Sequence, residues 1–116
     1  LIFRIMITVT IRKNKAEEYK LVQAIGHAGY ASSGYDIVCS AVSVLFINTL
    51  NAIEVFTCDK DKMKIVTNEE EGLIDCRFEN GLSKETALLL DTLVLGLESI
   101  SEQYSNKYFR LITEEV

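Results

Sequence analysis

The chain has 116 residues, 48% of them hydrophobic and 25% charged, which fits one globular domain over residues 1–116 and excludes a disordered polypeptide. Twelve basic residues against seventeen acidic ones leave a net charge of −5, so a basic partner is expected and direct nucleic-acid binding is not. No apolar run is expected to reach the roughly 18 residues of a membrane span. The first ten residues alternate in polarity instead of forming a secretory signal, which points to the cytoplasm, while Leu1 is not an initiator residue and leaves room for sequence upstream.

Residues 2–11 predict a strand, with Phe3, Ile5, Ile7, Val9 and Ile11 on one face and Arg4, Thr8 and Thr10 on the other. Residues 12–18 are polar and form a turn, and a second strand from Tyr19 to Ile25 completes a hairpin. The segment 26–35 holds three glycines and two serines and reads as a loop. Asp36 is placed as an N-cap. The long apolar run at 37–56 then predicts a helix buried on most sides, one that relies on packing because its β-branched residues lower helix propensity.

Strands are predicted at 63–67 and 73–78, joined by a turn at 68–72. Ser83 is the candidate N-cap of a second helix at 84–104, whose stripe is Leu89, Leu93, Leu97, Ile100 and Tyr104. Leu88, Leu90, Val94 and Leu95 widen that stripe, so this helix is expected to be covered on two sides, one of them by a partner subunit. Residues 108–112 add a last strand. The order β-β-α-β-β-α-(β) gives an α+β layered domain, a small mixed or antiparallel sheet packed against two helices.

The chemistry-bearing residues cluster at 26–43. Three cysteines, Cys39, Cys58 and Cys76, fall at spacings of 19 and 18, which fit neither a disulfide framework nor a CxxC zinc site. No metal and no cofactor are expected. With Asp36 as the cap, Cys39 falls in the first helical turn, where free backbone amides and the helix dipole favour a thiolate. His27, the chain's one histidine, is twelve positions before it across the glycine-rich loop; if that loop turns back, the ring can pair with the thiol and protonate a leaving amine. The plain alternative is that Cys39 is a small core residue and His27 a surface one. Cys58 and Cys76 fit that plain reading better, and Glu69, Glu70 and Glu71 read as a solvated turn. Ser43 lies one turn beyond Cys39 on the same face, where it either bonds near the site or packs.

The string GHAGYASSGYDIVCSAVS resembles the signature of the ribosomal-processing cysteine protease family, Prp: a Gly-His at a strand end, a glycine-containing loop, then Gly-x-Asp-Ile-Val-Cys and small residues with a serine. The likeness continues through Ile47, Asn48 and Thr49, the turn near Gly72, and Leu95, Gly96 and Leu97, and so covers nearly the whole chain. The resemblance implies a bacterial cysteine endopeptidase with a Cys39/His27 dyad. It implies Asp36 and Ser43 as supporting polar positions, and Gly26, Gly29 and Gly34 in a mobile loop that orders on substrate. The implied substrate is a basic ribosomal precursor, the large-subunit protein L-twenty-seven with its N-terminal extension, and the implied assembly is a homodimer. Ser40 departs from the alanine common in the family and removes no required group. In this mechanism the oxyanion is held by amides at the helix start, that of Cys39 among them. Two other classes stand beside this reading. One is a non-catalytic ribosome-associated assembly or binding factor. The other is a thiol redox sensor, which requires a disulfide from Cys39 to Cys58 or Cys76.

Overall fold

A computed structural model describes residues 6–26, 33–104 and 108–116, with side chains in the first helix described from Ile37 onward. Five strands and two helices follow in the expected order: β1 (Ile7–Lys13), β2 (Tyr19–Ile25), α1 (Ser33–Phe56), β3 (Met63–Asn68), β4 (Leu73–Phe78), α2 (Lys84–Tyr104) and β5 (Phe109–Glu115), with a 3₁₀ turn at Lys60–Lys62 before β3. The strands form one mixed sheet in the order β3-β4-β2-β1-β5. The β1–β2 and β3–β4 hairpins are antiparallel and joined through an antiparallel β2–β4 pair, whereas β5 lies parallel to β1.

Alternation within the strands puts Ile7, Val9 and Ile11 of β1 and Val22 and Ala24 of β2 on the core face. The cross-strand pairs Val9–Ala24 and Ile11–Val22 fix that register. Against this face α1 sets Val38, Val42, Phe46, Leu50 and Ile53, a stripe at helical spacing, and α2 sets Leu90, Leu93, Leu97 and Ile100. The buried stripe of α2 thus runs through Leu90, while Leu89 is only half-buried.

Three expectations are corrected here. The first helix is buried along one stripe and not on most sides: Ile37, Val44, Ile47, Val55 and Phe56 are exposed. By length and composition Ile37–Phe56 is apolar enough to cross a membrane, so such a run does exist. Glu54 is its one charged residue, and the stripe from Val38 to Ile53 packs in the core. Finally, α1 begins at Ser33, so Ser33, Gly34 and Tyr35 are helical and Asp36 is not the cap. Asp36 occupies the first turn, where a carboxylate is favoured by the helix dipole.

Two polar links fix the helices. Tyr19 is buried on β2 and donates to Asp91 Oδ1 of α2 at 2.6 Å. Burial, followed by that hydrogen bond and the charge of Asp91, pushes the phenol above its usual range. At the start of α2, Ser83 caps the helix as expected, its hydroxyl accepting the Thr86 amide at 3.2 Å. Asp59, fully buried between α1 and β3, accepts both the amide and the hydroxyl of Ser83.

Candidate functional site

A groove of about 460 Å³ opens between α1 and the β3–β4 hairpin. Cys39 and Ser43 form part of the helix wall, one turn apart and both half-buried, as the i, i+4 spacing predicts. Ile47 continues that wall along the helix, and Ile65 and Thr67 of β3 face it across the groove. Gly26, just past the end of β2, and Gly72, just before β4, also line it.

The groove is lined mostly by apolar side chains, with Glu69 the one charged residue among its described lining. An apolar cleft with a few polar groups suits an extended peptide whose side chains displace water from it. The thiol of Cys39 therefore stands at a concave surface instead of being sealed in the core. Cys76 shows the opposite arrangement: it is fully buried on β4, and burial, then the charge of Asp75, pushes its thiol up to about 12. Cys58 is exposed beyond the end of α1 and donates to Asp59 Oδ1 at 3.7 Å. All three thiols are free.

The helix start at Ser33 changes the placement of the cysteine. Cys39 lies in the second turn and not the first. Only the first four amides of a helix lack an intrahelical acceptor, so the Cys39 amide belongs to the bonded interior. It is therefore removed as an oxyanion donor, while amides earlier in α1 keep that capacity.

The structure brings together Cys39, Ser43 and Gly26. Gly34 and Asp36 are carried by the first turn of α1. His27 and Gly29 lie outside the described residues, as do Phe3 and Ile5 of the predicted first strand. Sequence reasoning missed the far wall. Ile65, Thr67, Asn68 and Glu69 enter the site only because β3 pairs with β4 and β4 pairs with β2. The acidic stretch read as a plain turn thus contributes Glu69 to the groove.

Comparison with known proteins identifies the fold and the family. The family model described as cysteine protease Prp matches residues 6–109. The ribosomal processing cysteine protease Prp of Staphylococcus aureus is 32% identical over 108 residues, covering 91% of this chain and 97% of that protein. Its Bacillus subtilis counterpart is 28% identical over 105 residues, covering 87% of this chain and 92% of the relative. The crystal structure of the S. aureus protease in complex with a substrate peptide superposes with a TM-score of 0.84 at 30% identity, over 93% of this chain and 99% of that one. A second structure of that enzyme, carrying a covalently linked product peptide, gives a TM-score of 0.81 at the same identity and coverage. With a matching fold, a half-buried thiol in an open groove and a family match over most of its length, the chain belongs to the Prp family of cysteine proteases.

Proposed function

We propose that this chain is a ribosomal-processing endopeptidase that removes the N-terminal extension of the large-subunit ribosomal protein L-twenty-seven, with Cys39 as nucleophile and His27 as its proton-transfer partner. The observation that carries the reading is the placement of Cys39 in a groove able to take a peptide, in a chain whose relatives are named for ribosomal processing. The S. aureus relative binds a substrate peptide in one structure and holds a covalently linked product peptide in another, which supports covalent chemistry in a groove of this kind.

In the first half-reaction the Cys39 thiolate attacks the scissile carbonyl carbon and forms a tetrahedral oxyanion. In this reading the free amides of the first turn of α1 are its hydrogen-bond donors. Its collapse breaks the C–N bond, and the departing amine takes its proton from His27, leaving a thioester on Cys39. Water then attacks the thioester, His27 accepts the proton, and the new carboxyl terminus leaves as the thiol is restored. Ser43 lines the groove beside the sulfur and supports bound peptide, and Asp36 supports the site from the first turn of α1. By resemblance to the family signature, Gly29 belongs to the substrate-binding segment, whereas Gly26 lines the groove just past the end of β2 and Gly34 is carried in the first turn of α1.

A basic ribosomal precursor suits a chain of net charge −5 with Glu69 in its groove. The reading places the enzyme in the cytoplasm. It also makes the enzyme a homodimer, supported by the exposed Leu88 and Leu95 on α2. The deciding experiment incubates the precursor with wild type and with Cys39→Ala and reads the new N-terminus by mass. Cleavage by wild type alone is expected; equal cleavage by the variant, or none by wild type, would overturn the assignment.

A further inference from the structure

We infer that Ile47 and Ile65 are the specificity-determining pair of the groove, and that they select a peptide with a large apolar side chain roughly three or four residues from the scissile bond. The inference rests on the reading of Cys39 as the nucleophile. Both isoleucines line the groove that holds Cys39, Ile47 from α1 and Ile65 from β3. The other large apolar side chains of its described lining are buried or half-buried, as Leu50 and Ile74 are. Ile47 and Ile65 stay 52% and 44% exposed. One exposed isoleucine is ordinary. Two of them on opposite walls of one groove present apolar surface that a single bound side chain covers from both sides.

The distance from the sulfur follows from the helix. Cys39, Ser43 and Ile47 recur every four residues on one wall. A helix rises about 1.5 Å per residue, so Ile47 stands about 12 Å along α1 from Cys39. An extended peptide advances about 3.3 Å per residue and spans that distance in roughly three or four residues. The far wall is ordered to match. The chain leaves α1 at Phe56 and enters β3 at Met63, so the strand returns along the helix and passes Ile65 before Thr67. Thr67 is thereby set toward the Cys39 end and Ile65 toward Ile47. Their partners on β4, Ile74 and Cys76, lie on the same face of the sheet.

Val66 supplies the control. It is the next residue on β3 and 47% exposed, but alternation turns it to the other face of the sheet, outside the groove lining. Lysine at 65 or at 66 adds the same charge to the same exposed strand, and only at 65 does it enter the groove.

The experiment measures cleavage of a synthetic peptide spanning the precursor's cleavage site, with each position on both sides of the cut replaced singly by serine. With wild type, serine in place of the apolar residue three or four positions from the cut is expected to lower kcat/KM about 30-fold, mainly through KM, the size expected for one apolar side chain left unburied. Ile65→Lys should lose about as much on the parent peptide. The same serine replacement should then change its kcat/KM by less than about threefold, because pocket and side chain act as one pair. The readout that a purely structural role would not move is an exchange of preference. A peptide with glutamate at that position should be cleaved about tenfold better by Ile65→Lys than by wild type. Val66→Lys should stay within about threefold of wild type on every peptide.

A scan that is flat at those positions, equal losses in Ile65→Lys and Val66→Lys, or no exchange of preference would overturn the inference. A sedimentation coefficient that changes in Ile65→Lys together with its turnover would also overturn it, by assigning the side chain to a contact between copies of the chain. Should Ile65→Lys fail to fold, Ile47→Lys on the helix wall takes its place with the same peptides. The exchange of preference there supports the pair, and its absence refutes it. Failure of wild type to cleave any of the peptides would instead count against the protease reading, so the two failures are separable.

Discussion

Asp59 accepts a 2.5 Å hydrogen bond from the Thr86 hydroxyl, and both side chains are fully buried where the α1–β3 connection meets the first turn of α2. Burial alone would raise this carboxyl. Hydrogen bonds from Thr86 and from the amide and hydroxyl of Ser83, together with the charge of Lys62, outweigh it and hold Asp59 at about 2, against an ordinary value of 3.8. A depressed folded-state value means that the stabilisation is complete above pH 3.8 and is lost as pH falls toward 2. The shift corresponds to about 2 kcal/mol at neutral pH. Urea melts between pH 2 and 6 are expected to show that loss in wild type and a flatter acid limb in Asp59→Asn. Asp59→Ala should cost about 3 kcal/mol at pH 7, because it leaves the buried Thr86 hydroxyl and the amide and hydroxyl of Ser83 without their acceptor. An acid limb unchanged in Asp59→Asn would show that other carboxylates dominate.

The three cysteines differ enough in setting to be told apart by rate. Cys58 is exposed, Cys39 is half-buried in the groove and Cys76 is fully buried with its thiol at about 12. A thiol-reactive disulfide reagent at pH 7.5 should therefore modify two thiols in the native protein and the third only on unfolding. Peptide mapping by mass should assign the slow one to Cys76. A native Cys76 that reacts as fast as Cys58 would show that β4 opens readily.

Ser43 tests the groove without touching the nucleophile. It stands one helical turn from Cys39 on the same wall, facing β3. Ser43→Phe fills part of the 460 Å³ space with an aromatic ring while leaving the sulfur in place. The expected result is a fall in kcat/KM of about 100-fold, expressed mainly in KM, with the rate of Cys39 alkylation by a small reagent within about threefold of wild type. Ser43→Ala, by contrast, should stay within about tenfold, the value of one hydrogen bond. Full activity in Ser43→Phe would mean that peptide does not bind along this wall.

The elements legible from sequence are those whose periodicity ends at a clear breaker. β2, β4 and α2 lie where alternation or helical spacing stops at polar or glycine-containing stretches, and Ser83 caps α2 because a serine precedes an apolar-periodic run. The start of α1 was not legible. Ser33 and Gly34 have weak helix propensity, yet the packed stripe from Val38 to Ile53 stabilises a helix long enough to carry them. The end of β5 was missed for a related reason. Thr113, Glu114 and Glu115 show no apolar alternation and extend only because they pair with Ile11, Arg12 and Lys13, about a hundred residues away in sequence. The same distinction divides the site. Cys39 and Ser43 share a wall by local helical geometry, whereas Ile65, Glu69 and Gly72 reach it through strand pairing that no local pattern encodes.

The exposed apolar face of α2 yields the last prediction. Leu88 and Leu95 are each 65% exposed and lie two turns apart on one side of the helix, while the other side buries Leu90, Leu93 and Leu97. On α1, Ile37, Val44 and Ile47 are exposed as well. Isolated exposed leucines are ordinary, but repeated apolar side chains on both helices form a surface that water covers poorly. If that surface joins two copies of the chain, burying one leucine contributes about 2 kcal/mol. The double variant Leu88→Asp/Leu95→Asp removes four such leucines from a symmetric pair, two from each copy, so the dimer should weaken by well over about 1,000-fold. Sedimentation velocity across a concentration series should show wild type as a dimer and the double variant as a monomer with an unchanged circular dichroism spectrum. A wild-type monomer at tens of micromolar would refute the homodimer. A variant that stays dimeric would move the interface away from α2.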